Sequence, residues 1–229
     1  MRSNPVFQPT LLAFLEELAN NNNRAWFTEN KSRYENEVLF PCLDFIAAMG
    51  PRLQKISPRF EAIPRRMGGS LMRVYRDTRF GHDKTPYKTN VGIQFRHVSG
   101  KDVHAPGFYL HIQPREVFVG VGSWRPDPDA LRKIRERIMA KPTLWQQAVG
   151  DRKFSRHFEL SGDTLIRPPK NVDANHPLIV DLKRKDFIAL KYLDQQRILE
   201  PGFMGEVTRL FTAGAPLIKF LCDALAIDF

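Results

Sequence analysis

The spacing of apolar residues changes period twice along this chain. After Gln8-Pro9-Thr10, the residues Leu11, Leu12, Phe14, Leu15 and Leu18 recur at helical intervals, which predicts an amphipathic helix with proline in its first turn. Asn20 to Asn23 should end it, because asparagine amides compete with helical hydrogen bonding and favour turns. A second helical stretch is predicted over 24–56. Trp26, Phe27, Tyr34, Val38, Leu43, Phe45 and Ile46 form its buried face, and Pro41 is expected to kink or split it. Residues 57–69, with their prolines and arginines, read as a loop.

The period then shortens to two. Segments 70–77, 88–98, 107–113 and 116–124 alternate and are rich in Val, Ile, Phe and Tyr, which predicts four strands. Short connections such as Pro114-Arg115 make them an antiparallel meander. One face gathers Thr89, Val91, Ile93 and Phe95, then Phe108, Leu110 and Ile112, then Val117, Val119 and Val121. The other carries Asn90, Gly92, Gln94 and Arg96, then Tyr109, His111 and Gln113, then Phe118, Gly120 and Gly122. Polar groups beside three glycines predict either an ordinary solvated face or one with room for a ligand or loop.

Helical spacing returns at 130–139, capped by Asp127-Pro128-Asp129, and at 141–149. Segments 158–160 and 164–167 flank Ser161-Gly162-Asp163 as a small hairpin. Residues 178–185 read as helix, 187–193 as extended, and 202–225 as helix kinked or restarted at Pro216. The order predicts an α+β fold: an antiparallel four-stranded meander packed with N- and C-terminal helices, plus a small C-terminal hairpin. A single domain is expected over 1–229, helical in 1–63, strand meander in 70–124 and helix-rich in 127–229.

Composition narrows the class. No run of about eighteen apolar residues exists, so no membrane span is expected. The first ten residues lack a secretory pattern, and Cys42 and Cys222 sit in apolar helical contexts as small core residues. These features predict a soluble cytoplasmic protein. The formal net charge is +10, unevenly spread. Residues 1–63 hold seven basic and seven acidic side chains, 64–137 fifteen and seven, and 138–229 thirteen and eleven. A basic field centred on the middle third favours anionic partners, although a merely solvated basic surface has the same composition.

Within that third, Arg73, Arg76, Arg79, Lys84 and Lys88 face only Asp77 and Asp83. Strand alternation would put Arg73, Tyr75 and Asp77 on one face and turn Arg76 to the core side, where it needs a carboxylate partner. Arg79 and Lys84 fall on a loop, 78–86, of the kind that carries function on a rigid sheet. Arginine forks grip phosphate or carboxylate through paired charge-assisted hydrogen bonds. Arg73, Arg76, Arg79, Lys84, Tyr87 and Lys88 are therefore the candidate ligand-binding residues, and Asp77 is the candidate base or orienting carboxylate.

No cofactor or metal is expected, with Mg²⁺ held by Asp77 and Asp83 beside a phosphate as an option. The evenly spaced His97, His104 and His111, with Asp102, do not converge on a meander. No nucleotide-loop or nucleophile-elbow pattern is present. The leading expectation is an anionic small molecule, phosphorylated or carboxylated. The alternatives are a nucleic acid tracked by the middle third plus Arg132, Lys133, Arg135 and Arg137 with Tyr109 and Phe118 stacking, or a motif that only serves the fold.

The run resembles the motif of a bacterial protein family, domain of unknown function 2461, through Arg73, Arg76, Asp77, Arg79, Phe80, Lys84 and Tyr87, with Asp83 before the lysine. The likeness extends to Asn22-Asn23-Arg24-Ala25-Trp26-Phe27, to Gly122-Ser123-Trp124-Arg125-Pro126 and to His176-Pro177, and so covers almost the whole chain. The family has no established activity, so the resemblance implies no catalytic roles.

Overall fold

A computed structural model describes residues 6–79, 82–100 and 105–229. Helix α1 (Pro9–Asn20) buries Leu11, Phe14, Leu15 and Leu18, the predicted stripe. The asparagines after it are all put to use. Asn21 returns a side-chain bond to Glu17 O, and Asn23 caps α2 (Arg24–Glu29) by accepting from Trp26 N at 3.0 Å. A short turn, α3 (Lys31–Arg33), leads through a π-helical segment, Tyr34–Leu39, into α4 (Phe40–Ile56). Pro41, expected to break this helix, sits in the first turn of α4. Its missing N–H and its bulky ring fall where the wider π turn ends, so the helix passes through it.

The sheet has six strands, not four: β1 (Phe60–Glu61), β2 (Val91–His97), β3 (Gly107–Gln113), β4 (Glu116–Ser123), β5 (Glu159–Ser161) and β6 (Phe187–Leu193). Their order is β1-β2-β3-β4-β6-β5, with every pairing antiparallel. Three assignments change for identifiable reasons. Residues 60–61, read as loop, pair with the far end of β2. The expected strand over 70–77 is reduced to isolated bridges at Leu71 and Tyr75. β1 already occupies one end of the β2 edge, so 70–72 can pair only with its other end. Beyond Arg73 the chain leaves that edge, and Pro86 opposite has no N–H to continue a ladder. The expected small C-terminal hairpin does not form. Its first arm is β5, which pairs with β6 and so joins the main sheet.

The remaining helices are α5 (Pro128–Ala140), α6 (Pro142–Gly150), α7 (Arg152–His157), α8 (Ile179–Leu182) and α9 (Phe203–Ala224). The 22-residue α9 runs on through Pro216. Its Leu210, Phe211, Leu217 and Leu221 are buried with Phe95, Phe108, Val119 and Ala189 of the sheet and with Phe45 and Ile46 of α4. The helices thus lie against the predicted apolar face. No helix among the described residues is long and apolar enough to cross a membrane.

The opposite face is polar and aromatic, as its alternation predicts, but its glycines do not leave empty space. A Cβ on Gly92 would lie 2.7 Å from the Tyr109 hydroxyl and 2.9 Å from the Met72 sulfur. Glycine lets these larger side chains lie close over the backbone. Further along, His111 stacks on Phe118 across β3 and β4, with ring centroids 4.6 Å apart and planes 5° apart.

Candidate functional site

The described parts of the run, 73–79 and 82–88, meet in a narrow neck. Arg76 N donates to Pro86 O at 2.9 Å and Lys88 N to Val74 O at 2.7 Å, with Tyr75 and Tyr87 bridged between them. The neck is docked on the N-terminal helices by one amide and a row of rings. Asn22 donates to Tyr87 O at 2.9 Å and accepts from Tyr87 N at 3.1 Å, which satisfies both backbone groups of a residue only 5% exposed. The Tyr87 ring stacks on Phe27 with centroids 4.0 Å apart and planes 16° apart. Tyr34, first residue of the π segment, packs on Phe27 at 5.1 Å, and Tyr75 lies 5.4 Å from Tyr87 on the outside. Two segments about sixty residues apart in sequence, 22–27 and 73–88, thus meet in space. Burial pushes the Tyr34 hydroxyl far above the ordinary phenol range, and raises that of Tyr87.

The candidate ligands then divide into two groups. Arg79 holds both carboxylate oxygens of Asp77 (2.9 and 2.7 Å), and Asp77 also accepts Arg79 N. Arg76 donates to Asp83 and to the Thr85 hydroxyl, and Asp83 accepts Thr85 N. Lys84 donates to Thr78 O at 2.8 Å across the loop. Arg76, expected on the core side, is only partly buried, and its carboxylate is Asp83, contributed from across the loop. Arg73 and Lys88, at the neck, have no carboxylate partner among the described residues. Burial, and then the charge of Arg73, lower the pKa of Lys88. Arg24, in the first turn of α2, adds a third cation whose field reaches Tyr87. The sequence reads Asn22 as part of a helix-ending turn and Phe27 as a buried helix face, and only the family resemblance sets them, with Arg24, beside the 73–88 run. Nothing in local spacing announces that they meet Tyr87. Phe80 and Gly81 of the run lie outside the described residues.

The two loop aspartates are electrostatically held. The hydrogen bonds from Arg79 keep the Asp77 carboxyl well below the usual range, and the hydrogen bond from Arg76 does most to lower Asp83, to about 2. Each depressed carboxylate favours the folded loop above its unfolded pKa, near 4, and loses that contribution as pH falls through its folded value. Carboxyl-detected NMR titration should therefore find Asp83 ionising near 2. In Arg76→Ala it should rise towards about 4 but stay below it, because the hydrogen bond from Thr85 N remains. An unchanged Asp83 titration in that variant would contradict the pairing.

Other candidate groups lie apart from the neck. His97 is buried, its Nε2 bonded to Asp228 O at 2.7 Å and its Nδ1 accepting Ser99 N. His111 lies on the open sheet face, and its pKa is lowered by burial. His104 and Asp102 fall outside the described residues. No group of three or more His, Cys, Asp or Glu suited to a metal occurs among the described residues. Asp77 and Asp83, the Mg²⁺ option, are each paired with an arginine.

The basic helix α5 is largely satisfied internally. Arg132 and Lys133 pair with Asp129, Arg132 also pairs with Glu136, and Arg135 donates to Leu182 O and Arg184 O. Trp124, at the end of β4, is exposed with the Arg125 guanidinium 4.7 Å over its ring. A 460 Å³ groove beside α1 is lined by Pro9, Leu12 and Leu199 and rimmed by the Arg115–Glu16 pair. It gathers none of the run's cations.

A family model described as "Conserved hypothetical protein (DUF2461)" matches residues 10–220, a span that contains both segments of the neck. No curated protein and no solved structure matches the chain.

Proposed function

We propose, for a chain that belongs to the DUF2461 family of conserved hypothetical proteins, that it binds an anionic, phosphate-bearing small ligand at the neck of the 73–88 hairpin. Arg73 and Lys88 contact the charge, and Arg24 and Tyr87 flank it. One observation carries the reading: Asp77 and Asp83 neutralise the loop arginines, while the charge of Arg73 reaches Lys88 and neither cation pairs with a carboxylate among the described residues. Like charges within reach of each other's field are relieved by a bound anion, and an arginine fork together with an ammonium suits a phosphate. In this reading Arg76, Arg79, Lys84, Asp77 and Asp83 shape the loop and are not the first contacts. The nucleic-acid alternative draws less support, because Arg132 and Lys133 of α5 pair with Asp129 and Glu136 on the same helix and Arg137 with Asp223.

The experiment is a melting-temperature screen at low salt with inorganic phosphate, pyrophosphate and dicarboxylates, combined with NMR titration of the Lys88 ammonium. Saturation at about a hundred times Kd should add about 2.7 kcal/mol of stability. The bound anion should raise the Lys88 pKa from its depressed value towards the ordinary lysine range. A panel that moves neither the melting temperature nor Lys88 would remove the proposal. Long single-stranded DNA binding with a steep salt dependence, while small anions do nothing, would favour the alternative.

A further inference from the structure

Tyr75 is unusual for a ring in this cluster. It is 55% exposed, whereas Tyr87 beside it is buried. Phe27, Tyr87 and Tyr75 form a row in which Phe27 and Tyr87 stack and Tyr75 caps the outer end, tilted by 45° to Tyr87. The outer end of that row opens to solvent. Arg73 is two residues away, so the backbone positions of the cation and the ring are separated by at most about 7 Å. That is the scale of the span between base and phosphate in a mononucleotide. Lys88 is backbone-bonded to Val74, the residue between them.

We infer that the ligand of the neck is a nucleoside monophosphate, its base stacking on the exposed ring of Tyr75 and its phosphate held by Arg73 and Lys88; this rests on the anion-binding reading above. The flat π-face of a base extends the ring row, and an aromatic ring is tolerant of which base it carries. A bare phosphate or a dicarboxylate would use the cations and leave Tyr75 idle. A sugar phosphate would offer no flat ring.

The test compares adenosine monophosphate, ribose 5-phosphate and inorganic phosphate by calorimetric titration. The proteins are the wild type, Tyr75→Ala and Tyr75→Phe, each first shown to melt cooperatively. Adenosine monophosphate should bind the wild type roughly tenfold or more tighter than ribose 5-phosphate. Tyr75→Ala should erase that preference while keeping affinity for ribose 5-phosphate, and Tyr75→Phe should retain it. Equal binding of the two ligands by the wild type, or a preference that survives Tyr75→Ala, would overturn the inference and leave the anion site standing. If none of the three binds the wild type, the anion-binding reading falls with it.

Discussion

Gly122→Ala should cost about 4 kcal/mol or more of folding stability, a large share of the total for a marginally stable domain. Gly122 has φ +125°, a conformation that L side chains rarely adopt and that alone costs about 1–3 kcal/mol with a Cβ. A Cβ there would also sit 2.0 Å from Phe187 O, a backbone atom of the adjacent strand that cannot rotate away. To admit it, β4 and β6 must part around the Gly122–Ile188 pair, in the middle of the six-stranded sheet. Urea denaturation of the variant would measure the loss. A cost under about 1 kcal/mol would show that β4 and β6 do not approach this closely.

The second large effect concerns the docking of the neck. Asn22→Ala leaves the N–H and C=O of a buried residue without the partners that now satisfy them, at about 1–3 kcal/mol for each group left unpaired. Tyr87→Ala removes the ring stacked on Phe27 and should cost about 3 kcal/mol or more. Because both changes undock the same neck, the double variant should lose less than the sum of the two. Denaturation of the three variants tests this. An Asn22→Ala protein within about 0.5 kcal/mol of the wild type, or strict additivity, would mean that the amide does not hold the hairpin.

The parts of this fold that were legible in the sequence are those governed by strict alternation or long helical spacing. Val91 to Phe95, Phe108 to Ile112 and Val117 to Val121 all line the buried face that their period predicts. The stripe of α1 and the long apolar run of α9 fall where expected. What was not legible depends on partners distant in sequence. Phe60–Glu61 is too short to show a period, and becomes a strand only because the end of β2 is open to it. The 158–160 segment looked like half of a local hairpin, but β6 offered a longer edge. Pro41 argued for a break that a π turn absorbs.

The same distinction runs through the site. The location of the charged run was visible from composition. Its division into self-neutralised loop arginines and neck cations that pair with no carboxylate among the described residues was not, because that depends on which aspartate reaches which guanidinium. Asp83, not the adjacent Asp77, takes Arg76, and Asp77 turns to Arg79. Asn22 and Phe27 belong to the site only through contacts made across some sixty residues.

That division makes the decisive comparison simple. Calorimetric titration of inorganic phosphate should be run on the folded wild type, Arg73→Ala, Lys88→Ala and Arg79→Ala. Arg73→Ala and Lys88→Ala should each weaken binding about tenfold or more, the loss of one charge-assisted contact, while Arg79→Ala, whose fork lies on Asp77, should bind nearly as the wild type does. Binding that survives both neck substitutions, or is lost in Arg79→Ala alone, would contradict an anion site at the neck.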